Sequence, residues 1–156
     1  KLETVLRMFP DMKFQIDVKT DEVAMPALAI IQKNNAMDRV CIASFNSKRL
    51  NLVNYNYPDI CISMGPYEVA KMLLSSFGLY KKSILGNCLQ IPIYEYGIKL
   101  VTKRFVKFIH SKGLKVCVWT INDEKTFKYL IDLGVDGIIT DKPKLLFEVL
   151  DSATNQ

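Results

Sequence analysis

Six short apolar runs begin near residues 13, 40, 59, 88, 115 and 136 and alternate with helix-like stretches, so that one strand-helix unit recurs every 19 to 29 residues. Strict alternation of this kind calls for parallel strands with helices laid outside them. Two architectures satisfy it. An open doubly wound sheet is complete at 156 residues, whereas an eight-stranded β/α barrel takes about 250, of which this chain would be a part. Length alone favours the open sheet. In both, function gathers at the carboxyl ends of the strands, where the loops converge.

The individual elements follow from pattern and capping chemistry. After a helical lead-in at residues 2–9, Pro10 and Asp11 break the chain, and residues 13–19 (KFQIDVK) alternate at period two as a strand does. Further strands are predicted at 40–45, 59–64, 88–91, 115–120 and 136–140. Helices are predicted at 21–35, from an Asn46 cap through Tyr55, from Pro66 to 77, from a Thr102 cap to Gly113, from Asn122 or Asp123 to Gly134, and over 143–150. Residues 151–156 are expected to fray. No linker composition interrupts residues 1–150, which are read as one domain.

Composition removes several classes of function. One histidine excludes two-histidine zinc sites and paired imidazole acid-base catalysis within this chain. His110 falls mid-helix on the outer layer, away from any strand end. No apolar run approaches the 18 or so residues of a membrane span, and no glycine-rich phosphate loop is present. Cys41, Cys61, Cys88 and Cys117 are widely spaced without a Cys-x-x-Cys pair, and read as small reduced core residues, which points to the cytoplasm. Six cations and no acid occupy residues 99–115. Without interleaved stacking aromatics this is a solvated helix face, with anionic lipid as the other reading and nucleic acid disfavoured.

The strand ends offer few chemical groups. Asp17 and Lys19 lie two apart and share one strand face, while Phe14, Ile16 and Val18 take the other. Such a pair is either a buried ion pair or a solvated strand terminus, or else a carboxylate ligand for a hard cation beside a lysine that meets an anionic oxygen. Trp119 is either core or an apolar wall against a polyol skeleton. Ser44, Phe45, Thr140 and Asp141 end strands, where their oxygens could equally cap the following helices.

Three stretches carry a resemblance to a known family. They are LETVLRMFPDMKFQIDVK at the start, VCIASFNSKRL from Val40, and the long run from Leu89 to Leu146 that contains VWTIN and DGIITDKP. In order and spacing they resemble the glycerophosphodiester phosphodiesterases, whose fold is an eight-stranded β/α barrel. The resemblance implies about six β-α units from the C-terminal part of that barrel. It also implies hydrolysis of glycerophosphodiesters to glycerol 3-phosphate and an alcohol with a divalent cation, Mg²⁺ or Ca²⁺, a lysophospholipid being the other substrate of this kind. By position Asp17 matches an acidic metal ligand that is more commonly Glu, Lys19 a phosphate-side lysine, and Trp119 the aromatic residue against the glycerol.

Relatives of this kind carry a His-Arg-Gly strand, a Glu and Asp metal-ligand strand and a His-Asp strand ahead of the matched segment. None occurs here. The chain is therefore expected to be the C-terminal portion of such an enzyme, to extend upstream by roughly 100 residues, and to be nearly inactive alone, since its catalytic histidines would lie outside it. Two other readings stand beside this one. A non-catalytic binding or regulatory module would close by pairing its open sheet edges with another chain. A complete doubly wound module would use Asp17 as a regulatory acid.

Overall fold

In the computed structural model, which describes residues 1–154, the period-two run near the amino end becomes β1 (Phe14–Asp17), preceded by α1 (Leu2–Met8). Two compact units follow from the contacts of the chain, Lys1–Cys88 and Leu89–Gln156, and the division falls inside a strand rather than at a linker.

The first unit continues with α2 (Asp21–Lys33), β2 (Val40–Ala43), α3 (Ser47–Asn56), β3 (Cys61–Ile62) and α4 (Pro66–Ser76). Strands β1, β2 and β3 form a parallel sheet in that order, with Asp17 opposite Ala43, Gln15 opposite Cys41 and Cys41 opposite Cys61. One face of this sheet is dry. Val40, Ile42, Ile60 and Ile62 meet Leu28 and Ile31 of α2 and Leu50 and Val53 of α3, all almost fully buried. Ala24, Leu28 and Ile31 stand at helical spacing along one stripe of α2, and each buried Leu or Ile contributes about 1.5–3 kcal/mol. Pro26 lies inside α2, further in than its first turn, and the helix runs past it.

The second unit carries β4 (Cys88–Ile91) from Leu89 onward, a hairpin of β5 (Tyr94–Glu95) and β6 (Ile98–Lys99), then α5 (Lys103–Ser111), β7 (Lys115–Val118), α6 (Glu124–Leu133), β8 (Gly137–Ile138) and α7 (Pro143–Thr154). Its main sheet is ordered β4-β7-β8, with β7 and β8 parallel. Gly137 faces Cys117 so closely that a Cβ there would lie 2.9 Å from the cysteine sulfur, so the Asp-Gly of DGIIT is a packing requirement. Phe105, Val106 and Ile109 of α5 are buried, whereas Lys103, Arg104 and Lys107 are exposed, which is the solvated basic face.

Several expectations need correction. Ladders are shorter than the apolar runs: β3 keeps two residues of a run of six, Ser63 beyond it forming only an isolated bridge to Cys88, and β8 keeps two of five. The β5–β6 hairpin was not anticipated; Tyr96 and Gly97 both take positive φ, as a two-residue hairpin turn requires. α7 reaches Thr154, so residues 151–154 extend the helix expected to stop at 150, and the fraying expected of residues 155–156 lies outside the described residues. Of the cysteines only Cys88 is buried, while Cys41, Cys61 and Cys117 are half-buried.

Candidate active-site residues and their settings

Asp17 ends β1 on the face turned away from the helices. Its carboxylate pairs with the Lys19 ammonium, the two side chains being 31% and 71% exposed, and the same ammonium stands 5.5 Å from the centre of the Phe45 ring. The expected shared face is thus realised, with Phe45 added to it. A surface pair of this kind contributes about 0–1 kcal/mol, which leaves both groups available to a ligand.

What fixes that strand end is Arg49, which the sequence pattern did not single out. Its side chain is only 10% exposed and donates to the Val18 carbonyl at 2.7 Å, to Ser44 Oγ at 2.8 Å and to Asp21 at 2.7 Å. Ser44 Oγ in turn donates to the Val18 carbonyl at 3.0 Å. Ser44 therefore locks the chain between Asp17 and Lys19, and Asn46 caps α3 by accepting from the Lys48 and Arg49 amides. A second missed residue is Glu68, an acid buried in the first turn of α4 and bonded by Ser47 Oγ at 2.7 Å. Neither residue advertises itself in sequence, because an arginine and a glutamate early in helices look like ordinary surface charges.

In the second unit Trp119 follows β7, half-buried, with its amide donating to the Ile91 carbonyl at 3.2 Å. Three residues on, Asn122 joins the two signature pieces. Its Oδ1 accepts from Thr140 Oγ1 at 3.0 Å and from the Asp141 amide at 2.9 Å, and its Nδ2 donates to Asp141 at 2.9 Å. Thr140 Oγ1 also accepts from the Lys142 amide, so these polar residues shape the loop before α7.

His110 bonds Asp136 at 2.8 Å, and the same carboxylate oxygen accepts from the Val116 amide at 2.8 Å. Asp136 precedes β8 and Val116 lies near the start of β7, so this cluster sits at the amino ends of those strands, the wrong end for chemistry. Burial pulls the Asp136 carboxyl up, but the Val116 amide and His110 outweigh it and hold it below its ordinary range. A depressed carboxyl stabilises the fold above its unfolded pKa and loses that contribution as pH falls through the folded value. Asp136→Ala is expected to cost about 1–2 kcal/mol in urea unfolding at pH 7. The gap from the unaltered chain should narrow at pH 3; an unchanged gap would contradict the assignment.

As a hard-cation site, the first unit offers the Asp17 carboxylate but no cluster of three acids around it: among the described residues the one group of three potential ligands is sulfur. A single carboxylate suits a cation such as Mg²⁺, which keeps several waters and takes its other ligands from a substrate phosphate. Asp17 fits as one ligand of a shared set.

Residues 2–145 match the model of the glycerophosphoryl diester phosphodiesterase family. A Mycobacterium tuberculosis protein named Probable glycerophosphodiester phosphodiesterase 2 is 32% identical over 96% of this chain and 59% of its own length. A glycerophosphodiester phosphodiesterase of Bacillus altitudinis is 32% identical over 68% of this chain and 40% of its own. The chain thus spans about half the length of these relatives. Among solved structures, a glycerophosphodiester phosphodiesterase from Parabacteroides distasonis superposes with a TM-score of 0.78 at 21% identity, over 97% of this chain and 63% of that one. An Oleispira antarctica phosphodiesterase, solved with the product sn-glycerol-3-phosphate, gives 0.61 at 19%, over 84% and 50%. These likenesses decide between the two architectures: the fold is part of a β/α barrel.

Proposed function

This chain belongs to the glycerophosphoryl diester phosphodiesterase family, and from that premise we propose that it supplies the cation, phosphate and glycerol contacts of an enzyme that hydrolyses glycerophosphodiesters to glycerol 3-phosphate and an alcohol, or a lysophospholipid to its acylated glycerol phosphate and an alcohol. The observation that carries this reading is the pairing of Asp17 with Lys19 on the open face of β1, at the strand end where barrels place their chemistry. A bound Mg²⁺ or Ca²⁺ would neutralise phosphate charge as a Lewis acid. Asp17 would be one of its ligands, and Lys19, paired with Asp17 in its absence, would meet charge developing on an oxygen. Trp119 gives the glycerol carbons an apolar wall.

General acid and base would come from outside these residues, because the one histidine is engaged with Asp136 at the amino ends of the strands. The chain alone is therefore proposed to be inactive. Its half-buried thiols suit a reducing compartment, and the cytoplasm is proposed as its location.

Trp119→Ala tests the glycerol contact in the polypeptide that carries this chain. Loss of an apolar wall should raise KM for a glycerophosphodiester roughly tenfold with little change in kcat, since ground state and transition state lose the same contact. An unchanged KM would remove Trp119 from the site.

A further inference from the structure

The face of the first sheet that carries Asp17 also brings three cysteines together. Cys41 on β2 lies opposite Cys61 on β3, and Cys88 bridges to Ser63, two residues beyond Cys61 and on the same face. Their three sulfurs all lie within 4.8 Å of one another, and those of Cys41 and Cys88 are 3.7 Å apart. We propose that Cys41, Cys61 and Cys88 form a three-sulfur site for a soft divalent cation such as Zn²⁺ or Cd²⁺, separate in donor chemistry from the oxygen-bound cation proposed at Asp17.

Spacing is the first support. A Zn–S bond of 2.3 Å in tetrahedral geometry sets sulfurs about 3.8 Å apart, close to the 3.7 Å between Cys41 and Cys88, whereas a disulfide needs about 2.05 Å. The second is rigidity. Strands stand about 4.8 Å apart, so the ladder itself delivers one sulfur per strand at ligand spacing. Cys88 is held in place by the Met64 amide, which donates to its carbonyl at 2.8 Å. Asn87 clasps Ile62 from both sides: its amide donates to the Ile62 carbonyl at 2.8 Å and its Oδ1 accepts the Ile62 amide at 2.9 Å.

Binding releases one proton from each thiol; three thiolates and a divalent cation leave a net charge of −1, and water takes the fourth position. Nothing here depends on the phosphodiesterase reading.

Titration of the reduced, chelator-stripped chain with Cd²⁺ tests it. The ultraviolet thiolate-to-cadmium band should saturate at one Cd²⁺ per chain, persist in Cys117→Ser, and lose its one-to-one endpoint in Cys61→Ser. In the unaltered chain, where misfolding of a variant is no concern, one equivalent of Cd²⁺ should slow alkylation of Cys41, Cys61 and Cys88 by at least roughly tenfold and leave Cys117 at its own rate, read by peptide mass spectrometry. No saturating band, an equal band in a folded Cys61→Ser, or uniform alkylation overturns the proposal.

Discussion

Replacing Asp17 with Asn is expected to lower kcat/KM for a glycerophosphodiester at least roughly 100-fold in the polypeptide that carries this chain, and to flatten its response to added Mg²⁺ or Ca²⁺. Asparagine keeps the size of the side chain but removes the charge that holds a hard cation. Asp17→Glu should retain cation-dependent activity, because it restores the charge and places it one methylene further out. If Asp17 served only the ion pair with Lys19, the result would be different. The pair is exposed, so losing it would cost the fold about 0–1 kcal/mol and leave turnover and cation response untouched.

Lys19→Met carries the second large effect. The unbranched side chain keeps an apolar stem of similar length but removes the ammonium, and kcat is expected to fall about 100-fold with KM changed far less, as for loss of a group that meets charge formed in the transition state. Lys19→Arg should recover only part of the loss, since a planar fork cannot occupy the place of a compact ammonium. Thermal unfolding separates this from structural damage. Lys19 is 71% exposed, so neither variant should unfold more easily than the parent, and a collapse in stability that tracks the loss of activity would count against a role in charge stabilisation.

The fold was legible where chemistry is local. Thr102 accepts from the Phe105 amide, Asp123 from the Thr126 amide, and Gly134 closes α6 in the left-handed region; each can be read from a few neighbouring residues. Strand positions were legible because alternation survives in the ladder, but strand lengths were not, since beyond Ile62 the pairing thins to one bridge at Ser63 while the chain stays buried. The Tyr96-Gly97 hairpin could have been found from its glycine, yet the four strand residues it joins show no alternation strong enough to announce two strands. The site divides in the same way. Asp17 and Lys19 are two residues apart, so strand periodicity alone places them together. Arg49 reaches the Val18 carbonyl from 31 residues away, and Cys41 meets Cys88 across 47, distances in sequence over which only the register of the sheet decides who meets whom.

Release of glycerol 3-phosphate from a glycerophosphodiester by the polypeptide that carries this chain, measured with Mg²⁺ or Ca²⁺ and then with chelator, is the most direct test that Asp17 binds a catalytic cation. The account requires turnover that depends on the cation, disappears with Asp17→Asn and returns with Asp17→Glu. Turnover that survives both chelation and Asp17→Asn would contradict it.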